Sequence, residues 1–301
     1  MDIILKVENL VKYYGDLCAV DHISFDVRRG SLFAFLGPNG AGKSTTINVI
    51  TTLLDQTEGQ IYLNGKNNQK YFREKIGVVF QSNVLDDYLT VKENLLLRGS
   101  LYLDSKKEVL DRYEELSKYL LLSDFEHQKF KTLSGGQKRR AEIARALFSN
   151  PEILLLDEPT TGLDPETRSL VWQVIKDLKE KKNITIFLTT HYMEEAANAD
   201  HVVIIDKGKI IVQGTPAQLK DQYSRDRLKI VPKNKASFIE ICEQKNITFE
   251  RVSDEFIIFV DETEDALDLI TLFKDHIKQF EVIKGTMDDV FLKVIGGEKN
   301  V

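Results

Sequence analysis

A glycine-rich stretch at residues 37–45, GPNGAGKST, has the residue types and the spacing of a phosphate-binding loop. Glycines at three of its positions let backbone N–H groups approach a phosphate closely, and Lys43 adds a positive charge for the β- and γ-phosphates. The hydroxyl of Ser44 can bind Mg²⁺, and Thr45 can reach the α-phosphate. Because an apolar run precedes the stretch and a helical pattern follows it, the context favours phosphate binding over an ordinary glycine-rich turn. The residues of this loop that we predict to bind a nucleotide are Gly37, Asn39, Gly40, Gly42, Lys43, Ser44 and Thr45.

Two adjacent carboxylates, Asp157 and Glu158, follow a run of aliphatic residues in the stretch ILLLDEP at 153–159. Asp157 is suited to hold Mg²⁺ through water, and Glu158 is placed to orient or deprotonate an attacking water. Successive residues of a strand point to opposite sides, so the two acids are expected to have different roles. An acidic helix cap is the alternative interpretation, but the phosphate loop upstream favours a catalytic pair.

Two more polar residues, Gln81 and His191, end apolar runs that have the character of strands. Ligands of open α/β sheets bind at the carboxyl ends of strands. We therefore predict that both residues are catalytic, and that Gln81 is also a metal ligand together with Ser44 and Asp157. A lone histidine is usually structural, and His191 is selected by its position alone, from which it could bond the γ-phosphate and hold Glu158.

Two other stretches offer contacts for a nucleotide outside the phosphate loop. Tyr14 has an aromatic face on which adenine can stack, although an ordinary exposed loop aromatic is the alternative. Ser134 and Gln137, within LSGGQKRRAEIARAL at 133–147, have the spacing of a helix capping box. A cap alone would not need Gly135 and Gly136, each of which costs a helix about 1 kcal/mol relative to alanine. Bare backbone at a helix start therefore indicates a second place where an anion can approach.

The composition limits what the chain can be. It has 301 residues, 42% of them hydrophobic, enough for one large or two modest domains. Residues 221–301 hold 12 basic and 17 acidic residues, which argues against a nucleic-acid partner. Cys18 and Cys242 lack metal-ligand spacing, so we interpret them as ordinary thiols of a reducing cytosol. We expect neither a signal peptide nor a membrane span of its own, because no apolar run reaches about 18 residues.

Short apolar runs alternate with helical patterns along the first two thirds of the chain, which predicts an α/β fold. Several runs are apolar throughout, as expected for parallel strands that are buried on both faces. Strands are expected at 31–37, 75–81, 152–159, 184–191 and 201–206. Helices are expected at 43–54, 90–101, 106–121, 137–149, 167–181 and 193–199. No convincing strand lies between about 86 and 150, where we predict a helical insertion.

From about residue 221 the pattern changes to strand, helix, two strands, helix and strand, followed by a last helix at 287–295. This order is typical of a small ferredoxin-like α+β domain. We therefore predict two domains, a nucleotide-binding domain at 1–220 and an accessory domain at 221–301. Each phosphate motif occurs once, so the chain carries one nucleotide-binding unit.

Together and in this order, the motifs resemble the ATP-binding subunit of an ABC transporter over about residues 1–220. LSGGQ followed by LLLDEP and a histidine is highly specific for this family. The phosphate loop alone is shared by many nucleoside triphosphatases. The stretch after Gln81 and the ending GTMDDVFLKVIGG are similar, more weakly, to the ABC-2 group of daunorubicin-type drug exporter ATPases. The matching stretches are YYGD with Tyr14, GPNGAGKST, Gln81, LSGGQ, ILLLDEP, TTGLDP with Asp164, and His191.

The resemblance implies a P-loop ABC ATPase core with an antiparallel β part and a helical insertion, which binds ATP and Mg²⁺ and hydrolyses ATP. Two chains would bind head to tail, so that LSGGQ of one chain contacts the γ-phosphate held by the other. The dimer would lie at the cytoplasmic face of the cell membrane and energise a separately encoded permease, which residues 82–100 would contact. The further nucleotide contacts that the resemblance implies are Ser134, Gly135, Gly136, Gln137 and Asp164.

Export of a drug, lipid or peptide-like substrate is the function that the resemblance favours. Soluble ABC ATPases of translation or DNA repair share the motifs, but they usually carry two cassettes or a long coiled coil, which this sequence lacks. A non-hydrolysing module would be expected to lack Glu158 or His191, and both are present. An importer ATPase stays open, as do the cargo, the choice between homodimer and heterodimer, and the role of the tail.

Overall fold

The structure, a computed structural model, describes residues 2–296 and contains two compact units, Met1–Gln213 and Gly214–Val301. Our sequence-based boundary after residue 220 falls inside a helix of the second unit, Pro216–Tyr223. Within the described residues, no helix combines the length and the apolar character needed to cross a membrane.

The first unit contains nine strands and seven helices among its described residues. In chain order the strands are β1 Ile3–Tyr14, β2 Leu17–Arg28, β3 Leu32–Leu36, β4 Glu58–Leu63, β5 Ile76–Val79, β6 Ile153–Asp157, β7 Thr185–Thr190, β8 His201–Asp206 and β9 Lys209–Gly214, whose last residue begins the second unit. The helices are α1 Lys43–Ile50, α2 Gln69–Lys75, α3 Val91–Gly99, α4 Lys106–Tyr119, α5 Gly135–Leu147, α6 Pro165–Lys182 and α7 Met193–Ala196, with a short 3₁₀ turn at Phe130–Thr132.

The predicted apolar runs form one sheet, with the strand order β5-β6-β7-β3-β8-β9. Neighbours from β5 to β8 pair in parallel, and every residue of β3, β6 and β7 is buried. Burial on both faces explains why β3 and the first four residues of β6 are apolar without alternation; the threonines of β7 are buried as well. The carboxyl ends of β3, β6 and β7 meet at one edge, which positions the residues that follow them.

A second, antiparallel sheet, ordered β2-β1-β4, packs against the first through aromatic side chains. The ring of Phe25 in β2 lies 5.3 Å from that of Phe33 in β3 and 5.9 Å from that of Phe187 in β7, measured between centroids. Rings at these separations attract one another in addition to burying apolar area. The shared core fixes the position of β2, which leads from Tyr14 towards the phosphate loop.

The insertion between β5 and β6 is helical, as predicted, and the described residues there form no strand. Its helices begin at capping boxes, Thr90 with Glu93 for α3 and Ser105 with Glu108 for α4. Each box satisfies backbone N–H groups that a helix start leaves without partners. The third helix of the insertion, α5, begins at the LSGGQ motif.

Four helices of the first unit are shorter than predicted: α1 by four residues, α3 and α7 by three each, and α4 by two. The pattern at 43–54 suggested a longer α1, but this helix ends at Ile50 because Thr52 adopts a left-handed backbone conformation, with φ of 61°. The pattern at 193–199 yields only the single turn Met193–Ala196. In contrast, α5 begins two residues earlier than predicted, at Gly135.

The second unit has the ferredoxin-like pattern that the sequence predicted. After helix α8 Pro216–Tyr223, its antiparallel sheet has the order β11-β12-β10-β13. One buried core joins sheet and helices, and Phe238, Phe256 and Phe273 are its largest members. The remaining elements are β10 Asp226–Pro232, α9 Lys235–Gln244, β11 Glu250–Val252, β12 Glu255–Val260, α10 Thr263–Phe273, β13 Ile277–Ile283 and α11 Met287–Ile295.

Candidate nucleotide site

The phosphate loop curls into the start of α1 through a backbone turn that requires glycine. Gly42 has φ of 105°, and a Cβ at this position would lie 2.5 Å from the carbonyl oxygen of Ala19. No side chain among the described residues caps this helix, so its first N–H groups are open for an anion. Lys43, only 4% exposed, folds back and donates to the carbonyl oxygens of Gly37 and Pro38 at 2.7 and 3.1 Å.

A cavity of about 410 Å³ lies over this helix start. It brings together the phosphate loop, Tyr14, Gln81 and Glu158, which lie far apart in the sequence. Tyr14 is 45% exposed, and Lys12 lies 5.5 Å from the centre of its ring. The cavity is lined by Tyr14, Leu17, Ala19, Asn39, Gly40, Gly42, Lys43, Ser44, Thr45, Gln81 and Glu158.

Glu158 is the most densely contacted acid of this cavity and is only 7% exposed. One carboxylate oxygen lies 3.3 Å from the Lys43 ammonium nitrogen. The other accepts hydrogen bonds from the Gln81 amide and the Thr161 hydroxyl, both at 3.2 Å. His191 Nδ1 lies 3.3 Å from the same oxygen but is poorly aligned for a hydrogen bond, and it has no other partner in the described chain.

The charge of Glu158 depends on these neighbours. Burial alone would raise the pKa of this carboxyl group, but the positive charge of Lys43 and the contact with His191 outweigh burial, and the pKa lies below its ordinary value. The carboxylate is therefore ionised at neutral pH and can accept a proton. A general base requires this state.

Sequence reasoning missed the residue that holds the two acids in place, Thr189 at the end of β7. Its buried hydroxyl donates to Asp157 at 2.5 Å and accepts from the backbone N–H of Glu158 at 3.0 Å. Glu158 itself has a left-handed backbone conformation, with φ of 46°. Such a conformation is strained for a residue other than glycine and clusters at functional sites. The turn directs Asp157 and Glu158 to different neighbours; that the two acids have different roles stays a prediction.

Sequence reasoning also missed a buried acid, Glu195. It is 3% exposed and accepts hydrogen bonds from the hydroxyls of Thr160 and Thr190, the latter at 2.6 Å, and from the Trp172 indole at 3.1 Å. These partners belong to the segments that follow Glu158 and precede His191. Glu195 therefore joins the two segments behind the cavity.

None of the LSGGQ residues lines this cavity. The Ser134 hydroxyl oxygen accepts from the Gln137 backbone N–H at 3.3 Å, and the Gln137 side chain accepts from the Ser134 backbone N–H at 2.9 Å. Gly136 is required by packing, because a Cβ there would lie 2.2 Å from a methyl carbon of Thr167. Asp164 accepts from the Thr167 backbone N–H at 3.0 Å and thereby caps α6.

The donor set predicted for Mg²⁺ is chemically suited to that ion. Ser44, Gln81 and Asp157 offer a hydroxyl, an amide and a carboxylate oxygen, the hard ligands that Mg²⁺ prefers together with phosphate oxygens and water. Ser44 and Gln81 line the cavity, and Asp157 lies directly before Glu158. No cluster of three or more histidine, cysteine or acidic ligands occurs among residues 2–296.

Comparison with protein families assigns both units. The family described as ABC transporter matches residues 20–161, and an AAA domain family overlaps it at 128–195. The second unit matches the C-terminal domain of the DrrA1-3-like ATP-binding proteins over 214–295. The phosphate loop, LSGGQ and the two acids all lie inside the first match.

Among individual proteins, the daunorubicin/doxorubicin resistance ATP-binding protein DrrA of Streptomyces peucetius is 34% identical over 97% of this chain and 92% of its own length. The linearmycin resistance ATP-binding protein LnrL of Bacillus subtilis is 40% identical over 74% of this chain and 73% of its own.

Solved structures agree with this relationship. CbiO1 of Clostridium perfringens, part of an ABC transporter complex, covers 73% of this chain and 91% of its own at 31% identity and a TM-score of 0.68. A dimeric ATP-binding cassette with bound ADP and Pi covers 70% and 98% at 31% identity and a TM-score of 0.64. This chain belongs to the ATP-binding proteins of ABC transporters, resembles their daunorubicin-type group along almost its whole length, and is an ATP hydrolase of that family.

Proposed function

We propose that two such chains, or this chain and a related one, enclose two ATP molecules head to tail and energise a separately encoded membrane permease for export. The dimer would act at the cytoplasmic face of the membrane. The observation that carries the proposal is the pair of helix starts, an open one at Gly42 inside the cavity and a second one at Ser134 outside it. A second chain can supply the LSGGQ motif that the first chain keeps away from its own cavity.

Within each site, we propose a separate role for each charged or polar residue. Lys43, now near two carbonyl oxygens and Glu158, would turn its ammonium group to the β- and γ-phosphates. Glu158 would accept the proton of the attacking water, and His191 would hold the γ-phosphate. When bound through Ser44, Gln81 and Asp157, Mg²⁺ would neutralise charge on the phosphate oxygens. Tyr14 would stack on the adenine, while Asn39, Gly40 and Thr45 would line the phosphates.

Across the dimer, LSGGQ would complete the site. The Ser134 oxygen already accepts from Gln137, which leaves the hydroxyl hydrogen for a phosphate oxygen of the partner's ATP. The positive end of α5 favours the same anion. Gly135 and Gly136 give the phosphate access to backbone, and Asp164 would lie at the same interface.

The surface after Gln81 suits a contact with a membrane subunit. Residues 82–100 present Val84, Tyr88 and Leu97 with 37, 71 and 59% of their surface exposed. Contiguous exposed apolar patches mark interaction sites, and we propose that these three side chains contribute to one. Export is supported by relatives whose names refer to daunorubicin resistance, linearmycin resistance and Nod factor export. We propose a drug, lipid or peptide-like cargo; the resistance names of the relatives support a drug, and no residue of this chain bears on the choice.

A mixing experiment tests the shared site. Lys43→Ala removes the phosphate charge, and Ser134→Arg fills the turn before Gly135; each homodimer then has two damaged sites. In a mixed dimer with shared sites, one site collects both defects and the other combines an intact Lys43 with an intact Ser134. ATP-dependent dimers and part of the ATPase activity should therefore return on mixing.

Differently tagged chains are used to confirm subunit exchange, after which recovery and absence of recovery can both be interpreted. If each chain builds its own site, every site in the mixture keeps one defect and no activity returns, which would exclude the head-to-tail arrangement. If the natural partner is a different ATPase, the same pair of changes is divided between the two chains.

A further inference from the structure

Helix α5 carries three charged side chains, one turn apart, on a buried face. Glu142 is 1% exposed, Arg139 is 8% exposed, and the Arg145 side chain is 11% exposed. Charged groups are almost never buried without partners, because loss of hydration costs several kcal/mol per ion. None of the three belongs to the nucleotide site described above, so their contacts need another explanation.

Glu142 holds the backbone of the segment that follows Gln81. One carboxylate oxygen accepts from the backbone N–H groups of Val84 and Leu85 at 2.6 and 2.9 Å. The other oxygen accepts from Arg145 at 2.7 Å, and Arg145 also donates to the carbonyl oxygen of Val78 in β5 at 2.6 Å. Hydrogen bonds to an ionised acceptor are shorter and stronger than neutral ones.

Arg139 holds the backbone on the other side of Gln81 and at the catalytic acid. Its guanidinium donates to the carbonyl oxygen of Phe80 at 2.7 Å and to that of Glu158 at 3.3 Å. The Gln81 side chain in turn donates to the Glu158 carboxylate. Gln81 is therefore bracketed on both sides by side chains of α5, one of which also contacts Glu158.

We propose that Glu142 and Arg139 are positioning residues for ATP hydrolysis, which fix the segment 80–85 so that movement of the surface 82–100 is transmitted to Gln81 and Glu158. The inference rests on the proposed function, because a permease contact at 82–100 is what would be transmitted. Helix α5 suits this role because it is rigid and because its first turn is LSGGQ. The same helix then connects the ATP of the partner chain, the segment 80–85 and Glu158. Neither residue touches the nucleotide in this arrangement.

Two changes at Glu142 separate positioning from general stability. Glu142→Ala leaves three donors without an acceptor, so we expect kcat of the full-length chain to fall about 10–100-fold, with KM for ATP within about twofold of the unmodified value. Glu142→Gln keeps one oxygen for Val84 and Leu85 and should lose less. Amide hydrogen exchange at residues 82–86 should be fastest in Glu142→Ala, intermediate in Glu142→Gln and slowest in the unmodified chain.

A matched control is Glu126→Gln, since Glu126 is another mostly buried carboxylate of the insertion. It accepts from Tyr113 and Ser117 and lies 3.7 Å from the Lys92 ammonium nitrogen in α3, but no bond of the described chain joins its carboxylate to residues 80–85 or to Glu158. This variant should lose stability without a lower kcat. Where Glu142→Ala does not fold, kcat and amide hydrogen exchange at residues 82–86 are measured on Glu142→Gln and Arg139→Gln instead.

Three results would overturn the inference: kcat unchanged in the Glu142 variants, an equal fall of kcat in Glu126→Gln, or a fall of kcat without faster exchange at 82–86. Failure of the proposed function shows itself differently. In that case the mixed Lys43→Ala and Ser134→Arg dimer regains nothing, whatever the Glu142 variants do.

Discussion

Replacement of Glu158 by glutamine is the change that bears most directly on the chemistry. The amide keeps the shape but has only one oxygen for two sets of neighbours. Lys43 lies 3.3 Å from one carboxylate oxygen, and Gln81 and Thr161 donate to the other at 3.2 Å. One set must therefore face an NH₂ group, and the acceptor of the water proton is lost in either orientation.

The magnitude follows from what a positioned base contributes. General-base catalysis accelerates a reaction by about 10²–10⁴-fold, which is about 2.7–5.4 kcal/mol of transition-state stabilisation at 1.36 kcal/mol per tenfold. We expect single-turnover phosphate release to slow by that factor. ATP affinity should hold or rise, because a negative charge beside the phosphates has been removed. Dimers with bound ATP should accumulate, and a sizing column with a phosphate-release assay measures both effects.

A matched control is available at Glu152, whose carboxylate pairs with Arg29 at 3.0 Å and with Lys75 at 3.2 Å. Glu152→Gln removes a comparable ionised acid outside the cavity and should leave phosphate release unchanged. If Glu158→Gln released phosphate within about threefold of the unmodified rate, or if both variants slowed equally, Glu158 would not be the base.

Two other changes test the domain division and the LSGGQ packing. A chain that ends after Gly214 should bind ATP with unchanged affinity, because every residue of the cavity belongs to the first unit; a folded truncated chain without ATP affinity would contradict this. Gly136→Ala should lower the free energy of unfolding by about 1–3 kcal/mol, since its Cβ would overlap the Thr167 methyl. Adding Thr167→Ser removes that methyl and should restore most of the loss in denaturant unfolding, whereas equal losses in both backgrounds would refute the packing argument.

Much of the fold could be predicted because its physical causes are local in the sequence. Strand β3 and the first four residues of β6 are apolar throughout, as expected for strands that are buried on both faces. In the second unit, burial alternates along β10 and β12, so that their core residues fall on a predictable face. The ends of elements were less predictable: α1 stops at Ile50 because of the backbone conformation at Thr52, and threonine carries no signal for a left-handed turn.

Two residues of the cavity lining, and His191 beside Glu158, were accessible to sequence reasoning for a related reason. Gln81, Glu158 and His191 follow strand ends, and parallel strands bring those ends to one edge. Thr189 and Glu195 were missed because their partners come from other strands and helices. A threonine in a strand is ordinary by propensity, and an acid in a short helix is usually solvated. What distinguishes Thr189 and Glu195 from ordinary residues of these kinds is the burial of their partners, which is visible only in the three-dimensional structure.

The two helix starts show how far a motif can be interpreted alone. At Gly42 the sequence argument was about phosphate, and the structure adds a steric reason, since Ala19 lies where a Cβ would be. At Gly136 the argument was again an anion, but Thr167 already explains that glycine by packing. The glycine at Gly136 therefore no longer argues for a phosphate by itself. Ser134 still does, because its oxygen is used by Gln137 within the chain while its hydrogen is left for an acceptor from outside. The case for a shared site thus depends on the serine hydroxyl and the helix dipole, and a Ser134→Ala chain tests that dependence more directly than any change of the glycines.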